Sequence, residues 1–162
     1  MIAEPALDLY ANWGANLTVV LATFGAVALA VLIHYEGLVA LSSRLARRGG
    51  QRRRKVLYAI SAILILHILE IWIFGLTCWL LMMWPACGHI IGSESLNLFD
   101  AVYLSAVTYS TVGFGDLAPV GVVRFLIGTE SLVGFVLITW SASFTYLEMA
   151  HFWDRPSSGS KR

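Results

Sequence analysis

Four ionisable residues stand where charge is costly. His34, Glu36, His67 and Glu70 all fall inside long apolar runs. Such groups persist in an apolar medium only when paired or hydrated. His67 and Glu70 are three residues apart, so on a helix they share a face and can touch. Two uses of that pair are open. It can tie two helices together with its counterpart His34/Glu36, or its imidazole, which titrates near neutral pH, can sense protons. A second kind of chemistry is suggested by Thr111-Val112-Gly113-Phe114-Gly115-Asp116. Two glycines flanking one aromatic residue allow backbone angles that other residues resist. This segment can therefore present main-chain groups rather than side chains. Enzymatic chemistry has no comparable support: there is no HExxH, no CxxC and no Cys/His cluster. The two cysteines, Cys78 and Cys87, are too few for a disulfide framework and read as unpaired thiols.

The elements that must position these groups follow from composition. Of the 162 residues, 58% are hydrophobic and only 13% charged. Ordinary soluble chains carry about 25% charge. So few charges cannot coat a soluble surface, and lipid is the expected solvent. Three runs are long enough to cross it: Leu17–Leu41, Val56–Trp84 and Val120–Phe152. Between the second and third lies Pro85–Pro119, too polar and too rich in glycine to span as a helix. Within it, Phe99–Tyr109 is apolar with small residues interleaved, too short to cross and long enough for a half-membrane helix. Asp100 sits in its first turn, where a carboxylate meets the positive end of the helix dipole. A short helix followed by a glycine-containing segment between two spans is a re-entrant loop. Irregular backbone at membrane depth is tolerated only against protein or a watery path.

Arg44, Arg47, Arg48, Arg52, Arg53, Arg54 and Lys55 are seven of the eleven basic residues, and no acidic residue lies among them. This loop joins the first two spans and is expected to be cytoplasmic. The N-terminus is then outside and the C-terminus, with Lys161 and Arg162, inside. The same loop suits anionic lipid headgroups, and its place between two spans leaves no need for nucleic acid. The first fifteen residues carry Glu4 and Asp8 and no basic residue, unlike a signal peptide, so the first run reads as a retained span. The tail Pro156–Arg162 is short and polar.

At Thr111–Asp116 the sequence resembles the potassium channel superfamily, whose filter reads TVGYGD; Phe114 replaces the tyrosine. The resemblance runs from Val56 to Phe152 as outer helix, pore helix (Leu98–Tyr109), filter and inner helix. It implies an all-α integral membrane protein of three transmembrane helices plus the re-entrant pore helix and filter loop, assembled as a homotetramer. It implies potassium ions held by the carbonyls of Thr111, Val112, Gly113 and Phe114 and by the Thr111 hydroxyl, with Gly115 completing the filter. Val112 and Phe114 are expected to pack outward against the pore helices. Tyr103, Ser110, Asp116 and Glu130 are expected to support the filter, and Gly134 to act as the inner-helix hinge. Thr108, Ser110 and Thr111 are candidate partners for Glu130; Arg124 is expected either to reach the headgroups or to pair with a carboxylate near the filter.

The chain divides accordingly into residues 1–55 (first span and basic loop), 56–153 (pore unit) and 154–162 (tail). The first span is additional to a two-helix pore unit, and no arginine ladder lies along any span, so no voltage sensor is expected. The expected activity is passive, potassium-selective conduction across the cell membrane, without enzymatic function or organic cofactor. The alternatives are a non-selective cation channel, from which Phe114 argues away, and a membrane sensor or structural subunit without conduction. Ile138, one turn past Gly134, and its neighbours Leu137 and Thr139 are uncharged, so strong polyamine block is not expected.

Overall fold

A computed structural model describes residues 10–47, 52–93 and 97–153. In chain order these form α1 (Trp13–Arg47), α2 (Arg52–Met82), β1 (His89–Ile91), α3 (Leu98–Tyr109), β2 (Ala118–Val120) and α4 (Arg124–Trp153), with a 3-10 turn at Pro85–Cys87. Glu4, Asp8, Arg48 and the tail assigned to 154–162, including Lys161 and Arg162, lie outside the described residues.

Helices α1, α2 and α4 are each long and apolar enough to cross a membrane, whereas α3, with 12 residues, is not. All three long helices differ at their ends from the apolar runs. The Asn12 side chain accepts from the Ala15 amide at 3.1 Å and starts α1 before Leu17. Arg44 and Arg47 carry its last turn past Leu41, where cations meet the negative end of the dipole. Helix α2 stops at Met82, two residues short of Trp84. Trp84 precedes Pro85 and is extended, with φ −108° and ψ 106°.

The all-α architecture carries one short ribbon besides its helices. Val120, read as the start of the inner helix, instead ends β2, which pairs antiparallel with β1, His89 opposite Val120 and Ile91 opposite Ala118. Two glycines permit this approach. A Cβ on Gly88 would lie 2.1 Å from the Val120 carbonyl oxygen, and one on Gly92 1.9 Å from that of Asp116; both have positive φ. The ribbon thus fastens the chain entering α3 to the chain leaving Thr111–Asp116.

Helix α3 is wedged between α2 and α4, and α1 packs on α2 and α4. The core between them contains Phe74, Cys78, Leu104, Val107, Tyr109, Val123, Leu126 and Leu137. Small residues let backbones meet. A Cβ on Gly75 would lie 2.8 Å from the Val102 Cα, and one on Gly134 2.2 Å from the Tyr109 carbonyl oxygen. On α1 a single stripe is buried, from Ala15 through Val19, Ala26, His34 and Leu41 to Leu45. The two ends of the bundle are distinct. At one end Gly14 packs beside the Trp84 ring. At the other the Ser42 hydroxyl donates to Glu148 Oε1 at 2.9 Å, so the end of α1 and the end of α4 share a side.

Candidate pore segment

Helix α3 is defined at both ends by local chemistry. The Asn97 side chain caps it by accepting from the Asp100 amide at 2.9 Å, and Ser93 donates to the Asp100 carboxylate at 3.1 Å. At the other end the backbone folds back over the last turn: Ser110 N–H donates to Ala106, Thr111 N–H to Thr108, and Gly113 N–H to Val107 at 3.0 Å. Thr111, Gly113 and Gly115 have φ of 60°, 52° and 79°. Glycine accepts these values freely, but a β-branched threonine does not; such a residue costs on the order of 1–3 kcal/mol and persists only where its surroundings enforce it. The glycines were legible as special positions, whereas the left-handed Thr111 was not.

All six residues from Thr111 to Asp116 are exposed on their own chain. Val112 is 56% and Phe114 71% accessible. Neither is covered by its own α3. The fold leaves these two apolar side chains uncovered.

Of the four expected supports, Tyr103 and Asp116 meet directly: the phenol donates to Asp116 Oδ2 at 2.8 Å. That bond holds the Tyr103 pKa above the ordinary tyrosine range, because ionising the phenol would break it and set two anions together. Ser110 turns away from Glu130 and donates to the Ala106 carbonyl at 2.7 Å. Glu130 is fully buried, and its partner is none of Thr108, Ser110 or Thr111. It meets Ser105, which also lies 2.8 Å from the Ile71 carbonyl. A serine hydroxyl has one proton. If that proton goes to the Ile71 carbonyl, the Ser105 oxygen accepts from a protonated Glu130. The other oxygen, Glu130 Oε2, has no partner among the described residues. Ser105 thus joins α2, α3 and α4. Its neighbours one turn away, Ala101 and Tyr109, are also buried, a pattern that could have marked it as inward-facing. Gly134 lies within a continuous α4, against the carbonyl that closes α3.

Arg124 is exposed, and no carboxylate among the described residues pairs with it. Cys78 and Cys87 are both free and buried, and burial pushes the Cys87 thiol pKa up.

His67 and Glu70 do touch, Nδ1 to Oε2 at 3.0 Å. Their counterpart on α1 is His34, whose Nδ1 lies 2.8 Å from Glu70 Oε1; Glu36 is exposed and takes no part. The Tyr109 hydroxyl, which sequence reading missed, donates to Glu70 Oε2 and stands 2.9 Å from His67 Nδ1. A buried phenol needs a partner, and that requirement was the available signal.

Residues 57–148 match a family described as "Ion channel". The chain is 33% identical over 73 residues to Protein LctB of Bacillus caldotenax, covering 40% of this chain and 54% of that protein. It is 36% identical over 53 residues to Protein LctB of Geobacillus stearothermophilus, covering 33% and 40%. The chain thus spans about half the length of the curated relatives it matches. No solved structure matches it. The family match begins in α2, takes in α3 and Thr111–Asp116, ends in α4, and leaves α1 outside. With three helices able to span and a family match over more than half its length, the chain is a multi-pass membrane protein that belongs to this ion-channel family.

Proposed function

We propose that four copies of this chain enclose one pore and conduct potassium passively and selectively. The observation that carries this reading is the segment Thr111–Asp116. It leaves a half-length helix, it takes left-handed backbone at Thr111, Gly113 and Gly115, and it is exposed along its whole length. Carbonyls of Thr111, Val112, Gly113 and Phe114, with the Thr111 hydroxyl, would replace the hydration shell of the passing ion. One chain supplies one wall, so the path requires neighbours, and these would also cover Val112 and Phe114. The negative end of α3 favours a cation beside it.

The basic residues are grouped at the adjoining ends of two helices, Arg44 and Arg47 in the last turn of α1 and Arg52, Arg53, Arg54 and Lys55 in the first turn of α2, rather than spaced along a span, which supports a cytoplasmic connection near anionic headgroups and a channel without a voltage sensor. The N-terminus is then outside and the C-terminus inside. The Ser42–Glu148 contact agrees with the second half of that arrangement, because it puts the basic loop and the end of α4 on one side.

The test is potassium flux through the purified channel in liposomes. Gly113 has φ +52°, and a Cβ added there would meet nothing within 4 Å, so Gly113→Ala strains the backbone without a clash. Flux should fall to the level of empty liposomes. Undiminished flux in the variant would show that this segment is not the ion path.

A further inference from the structure

We propose that His34, His67, Glu70 and Tyr109 form a binding site for a divalent transition metal of the zinc class, tying α1 to the end of α3. The inference is independent of which ion the pore conducts.

The geometry is that of converging donors from three helices. His34 comes from α1, His67 and Glu70 from α2, and Tyr109 from α3. Both imidazoles turn Nδ1 toward one carboxylate, at 2.8 Å and 3.0 Å, and the ligand atoms of His34, His67 and Glu70 all lie within 4.8 Å of one another. The Tyr109 oxygen adds a fourth donor 2.9 Å from His67 Nδ1. A tetrahedral zinc ion with bonds near 2.0–2.1 Å places its ligand atoms about 3.3 Å apart. The separations of 2.8, 3.0 and 2.9 Å between neighbouring donors already lie near that spacing. Two nitrogens and two oxygens suit zinc or cobalt(II) rather than copper(I), which favours sulfur.

Charge and protons also balance. With Glu70 as carboxylate and both imidazoles neutral, the cluster is an anion. A divalent ion that displaces the phenolic proton of Tyr109 leaves two negative ligands around two positive charges, a neutral buried site; the proton goes to water. Each imidazole must move its N–H from Nδ1 to Nε2. For His34 an acceptor already stands there, the Ser141 hydroxyl on α4, 3.4 Å from Nε2. A ligating histidine that donates its second nitrogen to such a group is the usual outer-shell arrangement. Entry is provided at His67. Its side chain is 14% exposed and borders a cleft between α2 and α4 lined also by Ile138, Ser141 and Thr145, whereas His34 and Glu70 are fully covered. Tyr109 directly precedes Ser110 and Thr111, so an ion here would fix the base of the pore segment to the additional helix.

The experiment is titration of the tag-free, metal-stripped channel in detergent with cobalt(II), followed by visible absorption. One ion per chain is expected, with the intense visible bands of a four-coordinate site, displaceable by zinc. His34→Gln and His67→Gln should each weaken binding tenfold or more, and Ser141→Ala about tenfold. His89→Gln, at an exposed histidine outside the cluster, should leave binding intact. The wild-type titration decides the matter even if a variant fails to fold. Absence of four-coordinate bands at about 100-fold excess cobalt, or binding retained in both His34→Gln and His67→Gln, would overturn the proposal.

Discussion

Gly134 and Tyr109 meet backbone to backbone. A Cβ on Gly134 would fall 2.2 Å from the Tyr109 carbonyl oxygen and 2.9 Å from its Cα. The middle of the inner helix therefore touches the residue that ends α3, one step before the exposed segment begins. Because the obstructing atoms are backbone, a rotamer change cannot relieve them. The glycine thus has a static reason to be there, in addition to the hinge motion its position suggests.

Gly134→Ala is expected to push α4 away from α3 and lower channel stability by about 1–3 kcal/mol, the usual range for overpacking. Gly128 supplies the control. It lies on the same helix with nothing within 4 Å of a Cβ. Gly128→Ala should be neutral or stabilising by up to about 1 kcal/mol. Thermal unfolding in detergent distinguishes them; equal midpoints for the two variants would show that the close contact carries no energetic weight.

Ser105 and Glu130 lead to a second expectation. Glu130→Ala removes a buried hydrogen bond and leaves Ser105 with the Ile71 carbonyl alone. The loss should be about 1–3 kcal/mol, with assembly retained and potassium/sodium discrimination reduced, since α3 loses its tie to α4. Glu130→Gln keeps a donor of the same shape and should retain most of both. Unchanged selectivity and unchanged stability in Glu130→Ala would remove Glu130 from the support of the filter.

These cases show where sequence reading reached and where it stopped. The spans were legible because three long apolar runs need no tertiary information. Thr111–Asp116 was legible because its two glycines stand one residue apart in a contiguous motif. The ribbon was not, because three-residue strands carry almost no local pattern and His89 meets Val120 only through the fold. Glu36 and His34 could not be ranked from spacing alone. Two residues apart on a helix, they face different ways, and only the packing of α1 on α2 determines that His34 turns inward. Ser105 was overlooked in favour of hydroxyls nearer the filter, since the depth at which α4 crosses α3 depends on Gly134.

Orientation can be tested on the same molecule. Ser42→Cys lies at the end of α1 beside Glu148. The native thiols, Cys78 and Cys87, are buried and should give little background. A membrane-impermeant maleimide should label this position only after the cells are opened, whereas a protease site placed before α1 should be cut in intact cells. Labelling of Ser42→Cys in sealed cells would reverse the arrangement of all three spans.

The role proposed for Thr111–Gly115 is the selection of potassium. The direct measurement is the reversal potential of the reconstituted channel with potassium on one side of the bilayer and sodium on the other. Selective conduction drives the reversal potential far from zero, toward the potassium equilibrium value, by about 59 mV for each tenfold of permeability ratio, the one-electron equivalent of a tenfold free-energy step. A reversal potential near zero under the same gradient would mean a pore that passes both ions, and would rule out Thr111–Gly115 as a potassium filter.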